Sequence, residues 1–263
     1  VDTHNLQAIA EGFLTRLDVG WTFILLMTRY LAFLMVIPGL GGGMTGMALR
    51  YPASLVLAFV SFDQKHMALI PQDLVVLSSQ IVSEVVLGAA IGLIPLLVVS
   101  GAQTAGHLAS GTMGLNGAQL FDPTTNTPLS DLSRFYSDFA IVVFLLMGGH
   151  YVAIGAMSGL NTEIIPGTFM FSAAGLDAFM IQTGRIFQIG CLIAAPVVVA
   201  LLLTNFVLGL ISKAVPTVNI FVISFPLTIG VGLVISLLAL PEVAYYLGRE
   251  FNRLPDILSL ILG

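Results

Sequence analysis

The sequence predicts an all-α, membrane-associated protein built from helical hairpins, and three observations predict it. Of its 263 residues 57% are hydrophobic and only 9% are charged, against about 25% charged in a soluble domain. Mean hydropathy is +1.01. The apolar residues fall into about six long runs, broken repeatedly by glycine and proline, with one long polar and glycine-rich segment near the middle. Runs of that length either cross the hydrocarbon as helices or are covered by other subunits. We divide the single structural unit into an N-terminal helical half (1–100), a Gly-rich central loop (101–131) and a C-terminal helical half (132–263).

Each run is justified in turn. Asn5 to Leu17 mixes polar and apolar residues and reads as a short amphipathic helix. Val19 to Pro38 carries one charge, Arg29, and is long enough to span a bilayer. Trp21 near its start suits an interfacial anchor. The glycine-rich stretch Gly39 to Gly46 breaks the helix; without a following Gly-Lys-Ser/Thr it is not a phosphate loop. Pro52 to Phe62 is too short for a full span and reads as one arm of a hairpin. Leu74 to Val99 is a long helix carrying Glu84, with Gly88 and Gly92 on one face where backbones can approach and Pro95 to kink it.

The segment Gly101 to Asp131 follows, GAQTAGHLASGTMGLNGAQLFDPTTNTPLSD. Its glycines, with Asp122-Pro123 and the Thr/Asn cluster, predict non-helical backbone. In a membrane protein such backbone is outside the hydrocarbon, buried in protein or lining water. Beyond it, Leu132 to Met157 is apolar, Ile165-Pro166-Gly167 marks a turn, and Asp177 to Leu210 is a long helix with Arg185 near its start and Pro196 midway. Ser212 to Asn219 is a polar break. Ile220 to Leu240 is apolar but interrupted at Pro226, and Pro241 opens an amphipathic tail holding Arg249, Glu250, Arg253 and Asp256.

Chemistry is sparse. Net charge is -5 and dispersed, which gives no footprint for nucleic acid. Cys191 is the only cysteine, so neither a disulfide framework nor a cysteine metal site is available; we expect it buried. His4, His66, His107 and His150 lack metal-ligand spacing. No nucleophile motif or paired-carboxylate arrangement supports an enzyme, and no cofactor is expected. Asp2, Glu11 and Asp18 replace the basic start of a signal peptide, so insertion would rest on the internal runs. Arg29, Glu84 and Arg185 stand inside apolar helices, where an ionisable residue faces an interior or meets a partner. A relay needs a chain of such residues, so we read them as structural pairs at helix interfaces. Met113, Leu115, Leu120 and Phe121 among glycines have two readings: a loop tucked against the protein, or a flexible stopper.

One stretch goes further. Leu203 to Leu227, LTNFVLGLISKAVPTVNIFVISFPL, resembles the signature of the flagellar type III export-gate subunit R (FliR) family, related to the T subunit of virulence injectisomes. The matching residues are Asn205, Gly209, Pro216, Asn219, Phe221, Phe225 and Pro226; Lys213 and Thr217 depart from the usual arginine and glutamine. Arg29, Pro38, Glu84, Gly88, Gly92, Gly106, Gly114, Asp122-Pro123, His150, Ser158, Pro166 and Pro196 agree along nearly the whole chain.

The resemblance implies a pore-forming subunit that joins P and Q subunits around a channel for unfolded flagellar proteins. It places the chain in the bacterial inner membrane at the flagellar basal body, near the B and large A subunits, with much of the assembled gate on the periplasmic side. It also implies that the central loop plugs the closed channel, which selects Gly106, Gly111, Met113, Gly114, Leu115, Leu120, Phe121 and Asp122, with the four apolar side chains at the tip. Arg29, Pro38, Glu84, Gly88, Gly92, Arg185, Pro196, Asn205, Gly209, Lys213, Pro216, Asn219 and Pro226 would hold the helices and interfaces. The alternative is a secondary transporter for an ion or small solute, built on broken helices around a central site.

Overall fold

The computed structural model describes residues 3–40, 43–63, 66–115, 131–158, 164–214 and 220–262. Among these, all regular structure is helical. The elements are α1 (Thr3–Val36), α2 (Gly43–Val60), α3 (Leu74–Met113), α4 (Asp131–Leu146), α5 (Gly149–Met157), α6 (Ala173–Ala214), α7 (Ile220–Phe251) and α8 (Leu254–Leu262). Among the described residues four helices are long and apolar enough to cross a membrane, Leu17–Val36, Leu74–Met113, Ala173–Ala214 and Ile223–Leu262, and the pair Asp131–Leu146 and Gly149–Met157, bent by 67°, makes a fifth if counted as one broken span. The 40 residues of α3 and 42 of α6 rise about 60 Å each at 1.5 Å per residue. That is about twice the ~30 Å hydrocarbon core, so much of each helix lies beyond the hydrocarbon.

Two compact units divide the chain, and each is discontinuous in sequence. The first takes Val1–Leu96, His150–Phe179 and Leu254–Gly263. On α1 the buried residues Leu25, Arg29 and Phe33, with Leu26, Tyr30 and Leu34, recur every four positions and form one stripe, which Ile37 continues just past its end. The start of α3 lies across that stripe. A Cβ on Gly88 would stand 2.2 Å from the Arg29 carbonyl oxygen, and one on Gly92 3.0 Å from that of Phe33. The two glycines thus sit where the backbones touch, as their spacing predicts. Trp21 departs from expectation. It is buried with Leu25 and Ala68 against Leu77 and Ile81, and its Nε1 donates to Gln80 Oε1 at 2.7 Å. It is a core residue because Gln80 supplies the one acceptor its indole needs. Leu254, Leu258 and Ile261 form the buried stripe of α8.

The second unit takes Leu97–Gly149 and Met180–Arg253. Here the rest of α3 packs on α4, α6 and α7. Gly101 meets Ile189, Gly190 meets Thr104, and a Cβ on Gly106 would fall 2.3 Å from Ser133 Cα. The buried face of α4 is Leu132, Ser133, Tyr136, Ala140, Val143 and Phe144. Phe144 packs against Phe251 of α7, ring centroids 5.3 Å apart.

Several expected boundaries move. The amphipathic start is no separate helix, because α1 runs unbroken through it. The glycine-rich break after Pro38 is short: Gly39 turns at φ 99° and α2 begins at Gly43. Gly101 to Met113, expected as loop, is helical and completes α3. Gly101 and Gly106 serve close packing against α6 and α4 rather than bending. The run after it is broken at Gly148, whose φ of 69° only glycine adopts freely. Pro226 and Pro241 stand inside α7 and do not end it. Each removes one N–H, so the Val222 and Leu237 carbonyls one turn back lose their helix donor. Cys191 is exposed, on the outward face of α6.

Candidate functional site

The central segment begins from a fixed stem. Met113, the last residue of α3, is buried. Its carbonyl accepts from the Thr228 hydroxyl of α7 at 3.0 Å, and its side chain fills the space beside Gly232, where a Cβ would fall within 2.5 Å of its methyl. Gly114 then turns at φ 82°, bonds back to the Gly111 carbonyl at 3.2 Å and faces the Phe225 ring. This is a helix C-cap: a left-handed glycine ends α3 and redirects the chain. Met113 therefore does not belong at a mobile tip. Its size and flexibility fill an internal gap beside a glycine. Gly106 is held against α4, Gly111 is exposed on α3, and Leu115 is half-buried. Leu120, Phe121 and Asp122 lie outside the described residues.

Arg29, the one charge in the apolar run from Val19 to Pro38, and Glu84, the one charge of α3, meet each other in the first unit. The Arg29 side chain is 2% exposed and that of Glu84 0%. Arg29 Nε donates to Glu84 Oε2 and Nη2 to Oε1 at 3.0 Å, a two-pronged contact. Arg29 Nη1 also reaches the Met157 carbonyl at 3.4 Å, and the Gly167 N–H donates to Glu84 Oε1. Four elements converge: α1, α3, the end of α5 and the turn at Ile165–Thr168. Gly167 has φ 82°, and a Cβ there would strike Gln80. Buried charges persist only when paired and hydrogen-bonded in this way.

Arg185 of α6 finds Glu250 of α7 in the second unit, at 3.0 Å. Arg253 joins the same oxygen at 3.3 Å. Sequence reasoning placed Glu250 in an amphipathic tail and missed it as a partner. The signal was a buried carboxylate available on the run antiparallel to the one holding Arg185.

The remaining singled-out residues divide by exposure. Pro38 is buried behind α1. Asn205, Gly209 and Lys213 on α6, and Pro226 on α7, are exposed, as is Pro196. A Cβ on Gly209 would meet nothing within 4 Å. Pro216 and Asn219 lie outside the described residues. Around these positions α6 shows Val199, Leu202, Leu203, Phe206 and Val207, each more than half exposed. Among the described residues no three His, Cys, Asp or Glu side chains are grouped to hold a metal ion.

Long apolar helices, buried ion pairs and broad apolar outer faces define an all-helical membrane protein. Comparison with known proteins narrows the class. The profile of the bacterial export proteins, family 1, matches residues 21–254. The flagellar biosynthetic protein FliR of Pectobacterium carotovorum is 32% identical over 69% of this chain and 70% of its own length. That of Caulobacter vibrioides is 27% identical over 89% and 94%. The Yop proteins translocation protein T of Yersinia pestis is 24% identical over 92% and 94%. The chain belongs to the bacterial export proteins, family 1, the family of flagellar FliR and its injectisome relative. It is a membrane component of a type III export apparatus.

Proposed function

We propose that this chain is a pore-forming subunit of the flagellar type III export gate. It assembles with P and Q subunits around a channel for unfolded flagellar proteins, in the bacterial inner membrane at the basal body, next to the B and A subunits. The segment after Met113, with Leu115, Leu120 and Phe121, closes the channel at rest. One observation carries this reading: α3 ends in a clamp at Met113 and Gly114. A stopper must be seated by something rigid, and the segment leaves from a fixed point with a turn that only glycine takes easily. The exposed apolar faces of α6 and α7 suit coverage by other subunits. The two charge clusters, Arg29–Glu84 and Arg185–Glu250–Arg253, are separate and hold helices together, which fits a scaffold of packed helices better than a transporter's shared ion site.

A photo-reactive residue at Leu120 tests the reading in cells that hold a stalled export substrate. We expect a cross-link to the substrate that disappears when export is not engaged. A subunit that never lines the channel gives no such product in either state.

A further inference from the structure

Glu242 is a carboxylate without a partner among the described residues, on the outside of an apolar hairpin. Within the second unit, α6 and α7 run antiparallel in one register. Arg185 pairs with Glu250. Further along, Ile193 and Pro196 of α6 share a hollow with Val243 and Ala239 of α7. Beyond that, Leu208 shares a second hollow with Leu227. The helical phase of the lining residues puts both hollows on the same side of the hairpin. They hold about 210 and 350 Å³ and are lined almost wholly by apolar side chains.

The first hollow differs from the second in its polar atoms. Glu242 enters it, is exposed, and makes no ion pair or hydrogen bond among the described residues. Pro196 has no N–H to offer the carbonyl one turn back, so the Leu192 carbonyl on the same wall loses its usual helix donor. The hollow therefore presents a charged acceptor and a second acceptor, while Tyr246 brings the one hydroxyl. Of the arginines around Tyr246, Arg185 and Arg253 are committed to Glu250, and Arg249, exposed on α7, makes no ion pair with Glu242. An unpaired carboxylate on an apolar helix face is costly in a low-dielectric setting and calls for a cation.

We propose that this groove docks an apolar helix of a different chain, which places one Lys or Arg side chain against Glu242 and the Leu192 carbonyl. The apolar walls take the helix and the two acceptors take its cation, so the pair fixes the register of the neighbour. The inference rests on the reading of this chain as one subunit of a hetero-oligomeric gate, and adds where one neighbour sits and what it carries.

The test uses the full chain in its own membranes with the rest of the apparatus. A photo-reactive residue replaces Leu192, which is 50% exposed on the groove wall. Cross-linked peptides are identified by mass spectrometry, with Glu242 intact, then in E242Q and E242K. The expected product joins α6 to an apolar helix of another chain with a Lys or Arg within one turn of the cross-link. E242K should lower its yield more than roughly tenfold, as removal of one member of a desolvated charge pair does. Exchanging the neighbour's basic residue for Glu in the E242K background should restore it. Cross-links to lipid alone, to a second copy of this chain or to a segment lacking a basic residue overturn the proposal. So does a yield that E242K leaves unchanged. Co-purification of the partner subunits with the unaltered chain is scored separately: if they are present while the groove meets only lipid, the gate reading stands and this inference fails.

Discussion

Arg29 and Glu84 show what a single charge costs in an apolar helix. Removing one member leaves the other buried and uncompensated, which destabilises by about 3–5 kcal/mol, while replacing both by apolar residues is often neutral. Glu84→Ala should therefore sharply lower the thermal midpoint of the detergent-solubilised protein, and the Arg29→Met, Glu84→Leu double variant should recover most of the loss. Glycines give a second contrast at this scale. Gly88→Ala puts a methyl into the Arg29 carbonyl, and the overpacking should cost roughly 1–3 kcal/mol. At Gly155 a Cβ meets nothing within 4 Å, and Ala there should be neutral or stabilising by up to about 1 kcal/mol. Denaturation midpoints of the two variants measured side by side decide it. The close approach at Gly88 and Gly92 was legible from their spacing. The partner of Arg29 was not, because only the fold brings together positions on separate helices.

At the scale of elements, the end of α3 is the hinge of the account. Met113 is held by the Thr228 hydroxyl and by the gap at Gly232. Gly232→Val fills that gap, forces Met113 out, and should cost about 1–3 kcal/mol. Thr228→Val removes one hydrogen bond, worth about 1 kcal/mol. Both should loosen the stem, seen as faster proteolysis after Met113 with the helices intact. Helix existence was readable from apolar run length: each long run is helical, though Leu132 to Met157 is two helices parted at Gly148. Boundaries were less readable wherever glycine and proline have two uses. Gly101 and Gly106 looked like loop residues because composition does not distinguish a glycine that bends from one that admits a neighbouring helix. Pro226 and Pro241 looked like breaks because the tertiary packing that lets a helix run through a proline does not show in the sequence. Trp21 was misread for the same reason: its acceptor, Gln80, is distant in sequence.

For the whole molecule, the resemblance in the Leu203–Leu227 stretch identified the family; Leu208 and Phe225 of that stretch serve the chain's own packing, but several of its matching residues do not. Asn205, Gly209 and Lys213 are exposed and contribute little to its own core. On the proposed reading they meet neighbouring subunits. Gly209→Leu should leave the chain's melting midpoint within about 0.5 kcal/mol of the original, as surface changes do. Recovery of partner subunits with the chain should fall, and quantitative mass spectrometry of the purified complex reads it. A substitution that lowers the midpoint instead would return Gly209 to the chain's own packing.

The central claim is that the segment after the Met113 clamp closes a channel. The most direct measurement is ion and small-solute permeability of cells carrying the whole apparatus, with residues 116–121 replaced by a Gly/Ser stretch of equal length. Met113 and Gly114 stay in place, so the fold keeps its anchor. The account predicts that permeability at rest rises while the subunits still assemble. Unchanged permeability, with assembly and export both intact, would contradict it and leave the chain as a scaffold of the gate.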